Sequence, residues 1–194
     1  MNSKVLLPPH YENIQGPLIF LGGPIQGAPY WHNNAIQMIQ NNSEKIDIAS
    51  PSRRVDKIYL DANPTSFRNS SNQEGWEQVD WETFHLNQAS KNGCILFWLP
   101  LEVQHYCDRP YAQTSRVEIG EWKTKHLENG CNLVIGFQPD FSGEHYLRYR
   151  LTKECPDIPI CSSLEETCLA AIKSIRLHRA IRSSHIIKNR KRTT

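Results

Sequence analysis

The chain has 194 residues, 39% of them hydrophobic and 22% charged, enough to bury one core and below the size at which chains usually divide into domains. No apolar run approaches the roughly 20 residues of a membrane span, and the short stretch Val5-Leu6-Leu7 breaks at Pro8-Pro9, which argues against a signal peptide and for a cytoplasmic protein. The formal net charge of +2 excludes little by itself, but seven lysines and arginines and no acid lie from Arg176 onward, so residues 1–175 are acidic, which argues against a broad nucleic-acid-binding face.

In chain order, Leu18-Ile19-Phe20-Leu21 predicts a buried strand over about 17–22, broken at Gly22-Gly23-Pro24-Ile25-Gln26-Gly27. A helix follows over about 30–41 and ends in Asn41-Asn42-Ser43. A second short strand, Ile46-Asp47-Ile48-Ala49, runs into Ser50-Pro51-Ser52-Arg53-Arg54. Residues 56–74, rich in Asn, Ser, Asp and Pro, read as a long loop, and such loops are usually functional or disordered. A helix over about 75–91 offers Trp76, Val79, Phe84, Leu86 and Ala89 to the core. The apolar run Cys94–Leu99 is a third strand, leaving the sheet at Pro100. The next helix begins near Ser115, ends about 128 and carries Glu118 in its first turn. Leu133–Phe137 is a strand, Ile158-Pro159-Ile160 a weaker one, and the last helix starts at Ser163, where Ser-Leu-Glu-Glu forms a capping box.

Strands alternating with helices predict a doubly wound, mostly parallel sheet with helices on both faces. One domain is expected over 1–175, followed by a basic tail over 176–194. A solvated end is the expectation for that tail, and contact with nucleic acid the alternative. The cysteines at 94, 107, 131, 155, 161 and 168 show no CxxC or zinc-ligand spacing, so they are expected to be reduced thiols, with Cys94 and Cys131 as small core residues and no bound metal.

Open α/β sheets bind ligands outside the carboxyl ends of their strands. Two places qualify: the glycine loop after Phe20-Leu21, and Glu118 after the Cys94–Leu99 strand. The loop is not a GxGxxG fingerprint, and no strand-end acid follows at the dinucleotide spacing, so no NAD or other cofactor is expected. Glycines let backbone approach a ligand, but they also simply turn chains. Arg53 and Arg54 either clamp an anionic group or stand solvated. Glu118 near a helix start is explained equally well by the helix dipole, which favours acids in a first turn.

The ordered set Ile19-Phe20-Leu21-Gly22-Gly23-Pro24-Ile25, Gln78-Val79-Asp80-Trp81-Glu82, Ile95-Leu96-Phe97-Trp98-Leu99-Pro100 and Thr114-Ser115-Arg116-Val117-Glu118-Ile119-Gly120 resembles the nucleoside 2-deoxyribosyltransferase-like family, over about residues 17–170. The resemblance implies a flavodoxin-like fold, a homo-oligomer, and cleavage of the N-glycosidic bond of 2′-deoxynucleosides or their 5′-monophosphates, with the sugar passed to another base or to water. It puts the nucleophile on Glu118 and a second carboxylate on Glu82, with Asp80 as competitor. It also implies substrate contacts from Gly22, Gly23, Pro24 and Ile25, with Arg53, Arg54, Thr114 and Ser115 as candidates for a phosphate.

Two carboxyl groups suit that chemistry. One attacks the anomeric carbon through an oxocarbenium-like transition state, and the other orients the sugar or handles the proton of the departing base. The chain departs from the pattern in three respects, one of them a long basic tail where bacterial transferases use a short C-terminus from a neighbouring subunit. Phe20 stands where bacterial transferases carry a tyrosine, and the glycine loop lacks the arginine found in the nucleotide hydrolases. These departures leave nucleoside against nucleotide open. A catalytically silent nucleotide-sensing or nucleic-acid-associated module using the same pocket is the competing expectation.

Overall fold

In the computed structural model, the backbone is described for residues 3–43, 45–52 and 74–190, and side chains for the same residues up to 177 except 74–76. The described elements are β1 (Val5–Leu6), β2 (Leu18–Gly22), α1 (Trp31–Asn42), β3 (Asp47–Ala49), α2 (Glu74–Asn92), β4 (Cys94–Leu99), α3 (Gln113–Asn129), β5 (Leu133–Phe137), α4 (Glu144–Glu154), β6 (Ile160–Cys161) and α5 (Leu164–Arg190). The six strands form one sheet in the order β1-β3-β2-β4-β5-β6. Every pairing is parallel, and the fold is flavodoxin-like.

The central strands are apolar along their whole length because both faces are covered, as parallel sheets require. Alternation along each strand sorts side chains between two cores. Leu18, Phe20, Ile95, Phe97, Leu99, Ile135 and Phe137 face α2, α3 and α4, which contribute Trp81, Ile119, Trp122 and Leu151. Ile19, Leu21, Cys94, Leu96, Trp98 and Val134 face α1 and α5, which contribute Trp31, Ile36, Ile39, Ile172 and Ile175. Cys94 and Cys131 are buried in these cores, and all six cysteines are free.

Neighbouring β2 and β4 send their chains to opposite faces, β2 into α1 and β4 into α3. That reversal opens a crevice at their carboxyl ends. Ser163 accepts a hydrogen bond from the Glu166 amide (3.2 Å), while the Glu166 carboxylate accepts from Ser162 N–H (3.1 Å), so the cap forms at α5 with its return contact one residue early. The expected boundary at 175 falls inside α5. No helix among the described residues is long and apolar enough to cross a membrane.

Four local expectations are corrected. Val79 is 47% exposed rather than in the core, and Trp81, fully buried, takes the inward position on α2. The inward phase there runs through Trp81, His85 and Ala89, four residues apart, and leaves Val79 on the opposite side. Helix α3 starts at Gln113, because Ala112 adopts a left-handed conformation (φ 55°) that turns the chain into the helix two residues early. Glu118 therefore lies in the second turn. Neither β1 nor α4 was expected. β1 is a two-residue edge strand registered as Val5 on Ile48 and Leu6 on Ala49, and α4 is a mostly polar helix whose buried residue is Leu151.

Candidate active site

The crevice between β2 and β4 holds a cavity of about 450 Å³, within the range usual for small-molecule sites. Its first wall is the glycine loop after β2. Gly23 has φ 142°, and a Cβ there would come within 2.2 Å of the Trp98 carbonyl oxygen. Only glycine fits so close to β4 in that conformation. The loop is held from behind, since the buried Trp31 Nε1–H at the start of α1 donates to the Pro24 carbonyl at 2.9 Å. Its far end is tied across the crevice, where the Gly27 carbonyl accepts from the Val103 and Gln104 amides at 2.8 and 3.2 Å. Tyr111 braces the opposite loop by donating its hydroxyl to the Pro100 carbonyl, 3.0 Å.

The second wall is α3. Thr114, Ser115 and Glu118 fall on one face by the i, i+3, i+4 spacing, while Ile119 and Trp122 turn into the core. Thr114 is exposed, Ser115 is buried and Glu118 is half-buried, and all three line the cavity. The third wall is α2, which repeats the spacing with Gln78, Val79 and Glu82. The floor is Phe20, whose ring lies 6.3 Å from that of Trp81.

The structure thus brings Gly22, Gly23, Pro24, Ile25, Glu82, Thr114, Ser115 and Glu118 around one cavity. Asp80 is exposed and stands outside its lining, with its charge acting on the Tyr11 phenol instead. Arg53 and Arg54 lie outside the described residues. Among the lining residues that carried no role in the sequence reading are Gln78, Gln113 and Arg109. Gln78 stood inside a quoted motif, and its spacing of four from Glu82 was the available signal. Arg109 had only its place ahead of Pro110 in a polar loop. Arg116, by contrast, turns outward, donating to the Ser142 carbonyl at 2.7 Å and covering the Phe141 ring.

Burial pushes the Glu118 carboxyl up to about 8, and the charges of Glu82 and Glu121 add to the rise. Burial also raises Glu82, opposed by the hydrogen bond from Gln78 Nε2–H to Glu82 Oε1 at 2.9 Å. Helix-dipole stabilisation fades beyond the first turn, so the second-turn position and the raised proton affinity remove the bland account of Glu118. Two interacting carboxyl groups in one cleft favour the site as functional. Among the described residues, no group of three or more His, Cys, Asp or Glu is placed to hold a metal ion. Comparison with family models, curated proteins and solved structures returned no match.

Proposed function

We propose that this chain is an enzyme that breaks the N-glycosidic bond of a 2′-deoxynucleoside or its 5′-monophosphate. The observation that carries the proposal is that Glu118 on α3 and Glu82 on α2 line one cavity, with the charge of Glu82 acting on Glu118. The ionised Glu118 carboxylate attacks C1′ of the sugar. The C1′–N bond breaks, its electron pair leaves with the base, and the departing nitrogen takes a proton from the second carboxyl group or from water. The product is a glycosyl ester on Glu118. Water or another base then attacks C1′, the ester bond breaks, and the Glu118 carboxylate is restored.

The lack of a 2′-hydroxyl in deoxyribose eases charge build-up at C1′, so paired carboxyl groups suffice to stabilise it. Thr114, Ser115 and the cationic Arg109 line the same cavity and would supply donors to a 5′-phosphate. The glycine loop allows close packing against the sugar.

The test is free-base release by purified protein from the four common 2′-deoxynucleosides and their 5′-monophosphates, with and without an acceptor base. Release that disappears in Glu118→Gln supports the reading. Binding of these compounds with no turnover under any condition would replace it with the silent nucleotide-sensing module.

A further inference from the structure

Gln78 sits on α2 one turn before Glu82, and its side-chain amide meets two acceptors through the same nitrogen. Nε2–H donates to Glu82 Oε1 at 2.9 Å, and Nε2 makes a longer contact, 3.4 Å, with the carbonyl of Pro51 beyond β3. A backbone carbonyl can only accept. It therefore fixes which end of the amide faces this corner of the cavity and leaves Glu82 opposite a donor.

Resting on the glycosidic reading above, we propose that Gln78 is a positioning residue, whose amide, locked by the Pro51 carbonyl, holds Glu82 as the charged member of the pair and leaves the pair's proton on Glu118 until substrate is bound. A protonated Glu82 can keep accepting at Oε1 only as a neutral carbonyl, a weaker acceptor than a carboxylate, and flipping the amide to meet its proton would set Gln78 Oε1 against the Pro51 carbonyl. The ionisable groups facing the pair are few among the described residues. Glu82 comes from α2, Glu118 and the neighbouring Glu121 from α3, and Arg109 from the loop ahead of α3, whereas the glycine loop presents none. Charge on Glu82 also repels charge on Glu118, in line with the rise described above. The arrangement keeps the attacking carboxyl neutral in the empty cleft.

The test is carbon NMR of the full-length protein labelled at its glutamate carboxyl carbons, with the two signals assigned by their loss in Glu118→Gln and Glu82→Gln. Gln78→Met removes both donors while keeping a side chain of similar length. Glu82 should then titrate at higher pH and Glu118 at lower pH, by about one unit each, with the ascending limb of the pH–rate profile moving down in step. Gln78→Leu, which also removes the donors and adds no charge, should move both signals the same way and serves if the methionine variant folds poorly. Unchanged titration of both carboxyls in folded variants would overturn the proposal, whether or not base release is seen. Shifted titration in a protein that releases no base would uphold the clamp and remove the glycosidic reading instead.

Discussion

Glu118 carries opposing demands. In the proposed mechanism it attacks and must be ionised, yet burial and two neighbouring acids push its carboxyl up to about 8. Base release should therefore rise with pH through about 8, and Glu82→Gln should shift that limb to lower pH by removing one repelling charge. Glu118→Gln keeps size and hydrogen bonding but loses the nucleophile. Turnover should fall by about three orders of magnitude or more, and near-normal release in that variant would end the covalent mechanism. The same group ties stability to pH. Above its ordinary value of 4.5, Glu118 in the unfolded chain has lost a proton that the folded chain keeps until about 8. Stability therefore declines as pH rises through that window. Glu118→Gln should gain melting temperature over the wild type progressively across it and no further above it, as calorimetry in a series of buffers would show. Gly23→Ala should cost about 1–3 kcal/mol from backbone conformation alone, with the contact at the Trp98 carbonyl adding to it. A melting temperature equal to that of wild type would refute the close approach.

At the scale of elements, the site is a product of phase and tether. α2 and α3 each turn residues i, i+1 and i+4 to the cavity, while Trp81 on α2 and Ile119 and Trp122 on α3 turn to the core. Legibility followed the strength of the apolar signal. β4 and β5 were readable to the residue because their runs are continuous and bounded by Pro100 and polar loops. On α2, by contrast, Val79 and Trp81 both lie in a run of mixed polarity. Periodicity in such a run gives the helix without its phase, and packing under β2 decided in favour of Trp81. The start of α3 was hidden for a different reason, since nothing in Ala112 advertises a left-handed turn. The tether from Trp31 to the Pro24 carbonyl makes a separate prediction. Trp31→Phe keeps most of the ring packing but leaves a buried acceptor unpaired, at a cost of about 1–3 kcal/mol. Because the freed loop borders the cavity rather than the reacting bond, KM should rise more than kcat falls. A melting shift without any change in KM would confine Trp31 to stability.

On the scale of the whole molecule, the strand order decides where the cavity lies. β2 and β4 are neighbours although α1, β3 and α2 separate them in sequence, and the glycine loop meets Glu118 only because of that crossover. The basic segment stands apart from this arrangement. Ile175 is the last buried side chain described on α5, and Leu177 is 54% exposed. A chain ending at Ile175 should therefore melt within a few degrees of the full chain and release base at an unchanged rate. Tight DNA or RNA binding that falls steeply with salt and vanishes on that truncation would instead assign the segment a nucleic-acid role. By itself, the sequence determined the α/β class, the central strands and the acid most worth testing, because buried parallel strands and helix periodicity are local properties of composition. Tertiary structure alone decided that Glu82 rather than Asp80 shares a cavity with Glu118 and that Gln78 reaches both Glu82 and the Pro51 carbonyl. Those depend on which helix face is turned inward and which strands lie side by side, and both are settled by packing between residues far apart in the chain.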